Sequence, residues 1–442
     1  MPDATPTDPD PGFATLLAQH PHLALTHQGL ALEGVPLAAI ADRVGTPAWV
    51  YSASTLTDRL AAFRGALAEA GLDVSIHYAM KANAARGVLR TLAAEDIGAD
   101  IVSEGELRQA RHAGFAAARI VFAGVGKRDP EIRHALAEGI LQFNAESAEE
   151  VAMLSAIAVA EGRTAPVALR VNPDVDAGTH DKISTGRAGD KFGIAAADIP
   201  ALYAHAAQLP GIRMAGLATH IGSQIGTLAG YRAAYARLAD LARALMAAGH
   251  DVPRLDCGGG LGIPYRGQAV PQPGDYAAVV KETLGPLQRP LLFEPGRWLV
   301  GPAGVLLASV TLEKRNQAHR FVILDAGMND LIRPSMYGAW HGILPVAAAQ
   351  HAAPLSPAEV VGPVCESGDH FARNRALPVL NPGDRVVFLD AGAYGQVMSS
   401  TYNGRPLAPE VMVKDGAWAS LRERQGYDAL LIGEHLPPWL AG

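Results

Sequence analysis

Eight times between residues 74 and 296 the chain passes through a short apolar or β-branched run: VSIHYA (74–79), ADIVS (99–103), RIVFAG (119–124), ILQFNA (140–145), PVALRVNP (166–173), MAGLATHIG (214–222), RLDCGGG (254–260) and PLLFEPG (290–296). Between them lie segments such as EGELRQARHAG, SAEEVAMLSAIAVAEG and YRAAYARLADLARALMAAG. Their apolar residues recur at helical spacing, and they often close on a glycine suited to a helix C-terminus. Strands that alternate with helices lie parallel and buried on both faces, and eight such units predict a (β/α)8 barrel. A doubly wound open sheet uses the same alternation, because periodicity does not show whether a sheet closes. The number of units favours closure.

Past residue 300 the rhythm changes. GVLLASVTLEKRN, RFVILDAG, DRVVFLDAG and EVMVKDGAWASLRER read as strands joined by turns such as NPGD and KDGA, without intervening helices, and predict a mainly β second domain. PAWVYS (47–52) is another strand-like run that suits this β domain as well as the barrel. The 442 residues exceed the ~250–300 at which one core stops growing, which agrees with two domains. The boundaries expected are 1–45 for an N-terminal tail and a segment associated with the β domain, 46–305 for the barrel and 306–442 for the β domain. Residues 1–12, dominated by Pro and Asp, read as a flexible tail.

Charge and cysteine content narrow the function. A net charge of −7 with no block of like charges argues against a nucleic-acid or anionic-membrane surface. No run of ~18 uncharged apolar residues offers a membrane span, and the acidic N-terminus is unlike a signal peptide. The two cysteines, Cys257 and Cys365, make neither a disulfide framework nor a metal cage, so no metal is expected and a cytoplasmic, reducing compartment is.

In barrels, functional side chains gather where strands end and βα loops begin. Lys81 follows the first run, His220 closes the sixth, Gly258, Gly259 and Gly260 end the seventh, and Glu294 with Arg297 end the eighth. A lysine at a buried strand end is partly desolvated, which favours the neutral amine that forms a Schiff base with an aldehyde. A lysine snorkelling to solvent fits the same position. Consecutive glycines let backbone N–H groups approach an anion such as phosphate, or serve a tight turn. Glu294 suits a protonated heterocyclic nitrogen, or an ion pair with Arg297. His220 suits stacking on a flat cofactor or a structural role, and Ser223 suits a hydroxyl contact to phosphate. Asp100, Glu104 and Arg170 also lie near strand ends, where bracing a cofactor and forming a structural ion pair are equal readings.

YAMKAN around Lys81, HIGSQ (220–224), GGGLG (258–262), EPGR (294–297), CESGD (365–369) and DAGAY (390–394) occur in this order over about residues 45–415. Together they resemble the diaminopimelate decarboxylases, within the alanine-racemase-like class of pyridoxal-phosphate proteins. The resemblance implies a barrel that binds pyridoxal 5'-phosphate, a β domain, and a head-to-tail homodimer with shared active sites. It also implies a reaction: meso-2,6-diaminopimelate to L-lysine and CO2, the last step of lysine biosynthesis. Lys81 would carry the cofactor as a Schiff base, His220 stack on its ring and Glu294 meet its pyridine nitrogen. Ser223, Gly259, Gly260, the backbone of Gly296 and Arg297, and Tyr394 would hold the phosphate. Arg297, Arg333, Tyr337, Glu366 and Tyr394 would bind substrate, with Cys365 and Glu366 donated across the dimer interface.

Elementary chemistry supports these roles. Loss of CO2 leaves a carbanion at Cα, and a protonated pyridinium conjugated to it spreads that charge into the ring. An anionic Glu294 beside the ring nitrogen keeps it protonated. Cys365 or released Lys81 can return a proton to Cα, whereas Cys257, within the seventh strand, reads as a small packing residue. The distal end of meso-diaminopimelate carries both charges, matching Glu366 with Arg297 and Arg333, and a helical turn in DLIRPSMYGAWH would put Arg333 and Tyr337 on one face. The alternatives are a sibling decarboxylase acting on ornithine, arginine or carboxynorspermidine, an amino-acid racemase, and a catalytically silent vitamin-binding protein. Arg333 beside Tyr337 speaks against ornithine, and Glu294 speaks against the racemases of this group, which place an arginine near the ring nitrogen.

Overall fold

The computed structural model describes residues 10–176, 185–187 and 189–440, and most of the N-terminal tail expected over 1–12 lies outside them. Contacts divide the chain into two units: one of residues 55–264 and 268–301, the other of 1–54, 265–267 and 302–442.

The first unit is the barrel. Its strands are β1 (Val74–Ala79), β2 (Gly98–Ile101), β3 (Ile120–Phe122), β4 (Gln142–Ala145), β5 (Ala165–Asn172), β6 (Ile212–Thr219), β7 (Arg254–Asp256) and β8 (Leu291–Phe293). Each pairs in parallel with the next, β8 pairs with β1, and β4 pairs with β5, so the ring closes and the open doubly wound sheet is excluded. The expected runs fall on these strands to within a few residues. All eight residues of β5 are buried, as a strand between helices and a filled interior requires. Ser103 and Ser147 accept hydrogen bonds from the Glu106 and Glu150 N–H groups and start the helices Glu104–Ala113 and Ala148–Ala160. Gly114 and Gly139, both left-handed, end helices Glu104–Ala113 and Asp129–Glu138 and return the chain to the next strand.

The second unit is mainly β. Its longest strand, Gly304–Arg315, pairs antiparallel with Arg320–Leu324, Arg385–Phe388 and Ala48–Ser52. Ala48–Ser52 also pairs in parallel with Glu410–Lys414, so the PAWVYS run belongs to this unit and the barrel begins after it. Asp415 and Gly416, both at positive φ, turn Glu410–Lys414 into Ala417–Arg422 as the KDGA signal requires. The NPGD turn instead joins strands that do not pair with each other, and the short helix Arg333–Tyr337 interrupts the expected succession of strands. A three-stranded antiparallel meander, Leu23–Thr26, Gly29–Leu32 and Val35–Pro36, adds Leu30 and Val35 to a core that includes Val50, Leu307, Val387 and Val411.

Candidate active site

Four strand ends are stitched together on the C-terminal rim of the barrel. The Ala79 N–H donates to the Pro295 carbonyl at 3.2 Å, which ties the end of β1 to that of β8. Glu294 N–H donates to the Gly258 carbonyl at 2.7 Å and Gly259 N–H to His220 Nδ1 at 3.1 Å, which adds the ends of β7 and β6. Lys81, His220, the glycine run, Glu294 and Arg297 are therefore brought together from segments far apart in sequence.

Lys81 sits in a single 3-10 turn, Met80–Ala82, directly after β1. Its Nζ lies 3.0 Å from Asp100 Oδ2, and the Asp100 side chain is fully buried. The other Asp100 oxygen is buried and has no hydrogen-bond partner among the described residues. Glu294, 6% exposed, is 3.5 Å from Asn144 Nδ2, and the same nitrogen donates to Asp256 Oδ2 at 2.8 Å. Burial holds the Glu294 carboxyl well above the usual carboxylate range; Asp100 and Asp256 push it further, against the pull of Lys81. Burial likewise raises Asp256 to about 6, opposed by hydrogen bonds from Asn144 and Gly258.

His220 is held neutral: desolvation lowers its pKa well below the usual value, aided by the positive charges of Lys81 and Arg170. Because Nδ1 accepts from Gly259, the ring proton belongs on Nε2. That N–H of Gly259 orients the imidazole, a use distinct from the phosphate contact the sequence suggested. The glycines are demanded by space. A Cβ on Gly259 would stand 2.1 Å from the Glu294 carbonyl oxygen, and one on Gly260 (φ +103°) 2.4 Å from that of Gly222. Gly296 lies against the methyl groups of Ala79 and Ala82. Arg297, 5% exposed, donates from Nη2 to Ser223 Oγ at 3.0 Å, while Glu294 turns to Asn144 and Asp256.

The β unit carries the remaining expected residues. Arg333 is buried and Tyr337 half-buried on one five-residue helix. Cys365 and Glu366 are exposed on a loop that Asp369 pins through the N–H groups of Val364 and Met328, at 2.7 Å each. Tyr394 is half-buried at φ +56°, a conformation uncommon for a residue with a side chain. Cys257 lies one residue beyond β7 and is 2% exposed, with burial raising its thiol pKa.

Several contributors were left open or not legible as site residues, and Asp100 was the one left open. Asp100 faces Lys81 because the β1–β2 register sets Ala79 opposite Asp100; a buried carboxylate one strand from a strand-end lysine was the available signal. Of the other two residues considered with it, Arg170 forms an ion pair with Glu146 at 2.8 Å and Glu104 pairs with Arg108 on its own helix. Beneath the glycine run, Tyr231 donates to the Gly259 carbonyl at 3.2 Å and Tyr235 to that of Cys257 at 2.9 Å. Tyr276 completes a buried trio at 2.5 Å from the Tyr235 oxygen.

The donor set fits a pyridoxal phosphate. A lysine amine stands at the rim, the buried Glu294 has no cation bonded to it among the described residues, and a loop closed to side chains lies beside an arginine and a serine. Among the described residues no group of three or more His, Cys, Asp or Glu is arranged to hold a metal ion. No helix among them is long and apolar enough to cross a membrane.

Comparisons with known proteins agree with this fold. Residues 53–301 match the family described as pyridoxal-dependent decarboxylase, pyridoxal binding domain. A diaminopimelate decarboxylase of Zymomonas mobilis is 46% identical over 94% of this chain and 99% of its own length. The crystal structure of diaminopimelate decarboxylase from M. jannaschii in co-complex with L-lysine is similar at a TM-score of 0.90 and 32% identity, covering 96% of this chain and 99% of that one. That of the Helicobacter pylori diaminopimelate decarboxylase complexed with L-lysine is similar at 0.86 and 37% identity, covering 89% and 98%.

Proposed function

The chain belongs to the diaminopimelate decarboxylases, among the pyridoxal-dependent decarboxylases, and from that membership we propose that Lys81 tethers the coenzyme while Glu294 faces its ring nitrogen. The reaction is the decarboxylation of meso-2,6-diaminopimelate to L-lysine and CO2, with pyridoxal 5'-phosphate as cofactor. It is a step of lysine biosynthesis. The observation that carries the assignment of residues is the meeting of half-buried Lys81 with the buried acids Asp100 and Glu294 at the rim of a closed barrel.

When bound, the coenzyme supplies a cationic ring that accepts the electron pair left at Cα by departing CO2. Glu294 is matched to that ring: a carboxyl desolvated and crowded by Asp100 and Asp256 ionises favourably only against a new cation, so it holds a proton on the ring nitrogen. Asp100 receives the Lys81 ammonium whenever that amine is free. Neutral His220 presents a flat apolar face for stacking and holds no charge against the ring. Ser223, Gly260, Gly296, Arg297 and Tyr394 hold the phosphate, Gly259 bordering it through its missing side chain while its N–H serves His220, and Ser223 and Arg297 are already joined.

Substrate selection uses Arg297, Arg333, Tyr337, Glu366 and Tyr394, a set with both signs of charge for a distal end that carries an ammonium and a carboxylate. Cys365 Sγ, or Lys81 Nζ, returns the proton to Cα. Cys365 and Glu366 act on the active site of a second copy in a homodimer; their exposure in the single chain supports that reading. The enzyme works in the cytoplasm, in keeping with two unpaired cysteines, one of them exposed. The deciding assay is lysine formation from meso-diaminopimelate, set against amine formation from ornithine and arginine. Amine formation without lysine would move the chain to the sibling decarboxylases.

A further inference from the structure

We propose that His341 is a positioning residue for substrate recognition: its imidazole, held in one tautomer, fixes the plane of the Arg333 guanidinium. This rests on the reading of Arg333 as receiver of the substrate's distal carboxylate. His341 is 1% exposed. Its Nδ1 lies 2.9 Å from the Leu389 carbonyl oxygen, and its Nε2 lies 2.9 Å from Nη1 of Arg333. A carbonyl only accepts, so the ring proton sits on Nδ1; a guanidinium only donates, so Nε2 offers a lone pair. The two partners therefore select one neutral form of the ring.

The imidazole is firmly mounted. Leu389 N–H donates to the Gly342 carbonyl at 2.9 Å, and Ile343–Pro345 pairs antiparallel with Arg385–Phe388, so His341 and its acceptor flank the same pair of strands. Buried Arg375 donates to the His341 carbonyl at 2.8 Å. Arg333, 5% exposed, begins the helix Arg333–Tyr337, and its guanidinium carbon lies 5.0 Å from the Tyr265 ring centre. That ring in turn meets His341 edge-on, with centroids 5.4 Å apart. One N–H of the fork is given to His341 and one face is set against Tyr265, so the fork is oriented before a ligand arrives. An oriented fork loses less conformational freedom when it takes a carboxylate through two parallel hydrogen bonds.

The test uses ligands that differ at the distal end. L-lysine, the product, retains the carboxylate that Arg333 would read, and cadaverine lacks it. In His341→Asn the shorter amide keeps reach of the Leu389 carbonyl but ends short of Arg333. In His341→Gln an amide oxygen reaches the place of Nε2. On the holoenzyme, His341→Asn should raise the KM for meso-diaminopimelate and the inhibition constant of L-lysine about tenfold, with kcat changed less than about threefold. Inhibition by cadaverine should stay unchanged, and His341→Gln should remain within about threefold of the parent in every measurement. Equal behaviour of the Asn and Gln variants, or a parallel loss of cadaverine binding, overturns the proposal. Arg333→Met separates the two levels. If it leaves L-lysine inhibition intact, the reading of Arg333 falls; if it weakens that inhibition while His341→Asn does not, only the role of His341 falls.

Discussion

Lys81 Nζ stands 3.0 Å from Asp100 Oδ2, across two neighbouring parallel strands whose register sets Ala79 opposite Asp100. The amine thus has a fixed resting place within the barrel, set by backbone pairing and independent of loop conformation. Removing it tests the centre of the assignment. Lys81→Ala should abolish the visible absorbance of the bound coenzyme and reduce turnover by about 10²–10⁴-fold or more. Borohydride trapping followed by peptide mapping should label the peptide holding Lys81 in the parent; label on another peptide refutes the assignment.

Asp256 gives a pH signature in the protein without coenzyme. Its folded pKa is raised to about 6, above an unfolded value of about 3.9. A group raised in this way stabilises fully below its unfolded pKa, and its contribution is lost as pH rises through the folded one. Between roughly pH 4 and 6, Asp256→Asn should therefore flatten the decline of the coenzyme-free protein's thermal midpoint relative to the parent. Parallel curves for the two proteins would contradict the raised value.

A shared active site predicts complementation. If Cys365 is the proton donor, Lys81→Ala and Cys365→Ala chains are each inactive as homodimers and should regain about a quarter of the parent activity when unfolded together and refolded as a mixture, since half the dimers are hybrids with one intact site of two. A mixture as inactive as its components would place Cys365 and Lys81 of one chain in the same site.

Gly259→Ala should destabilise the fold as well as the site. The added methyl would stand 2.1 Å from the Glu294 carbonyl oxygen, a backbone atom with no rotamer to yield. The loss should be about 1–3 kcal/mol in denaturant titration, and coenzyme affinity should fall with it. Gly274→Ala, where nothing lies within 4 Å of the added Cβ, is the control.

The barrel was legible because its physics is local. Each strand must be buried on both faces and each helix on one, and both patterns are written in neighbouring residues such as those of β5 and the helix Ala148–Ala160. Lys81, His220, Glu294 and Arg297 were legible because strand ends locate the rim. Asn144 and Asp256 were not, and Asp100 stayed undecided between a brace and a structural ion pair, because each sits in a strand and becomes part of the site only through inter-strand register. Tyr231 and Tyr235 look like packing residues at helical spacing until the glycine loop is laid over their hydroxyls. His341 carried no signal at all: its meaning lies in Leu389, a residue 48 positions away.

Asp100 meets the Lys81 ammonium directly, and Glu294 feels that ammonium together with Asp100 and Asp256, so the rim carries buried acid in excess of its single lysine and suits a further cation. Binding of the coenzyme should therefore raise the thermal midpoint of the protein, and a midpoint indifferent to added pyridoxal phosphate would contradict this reading.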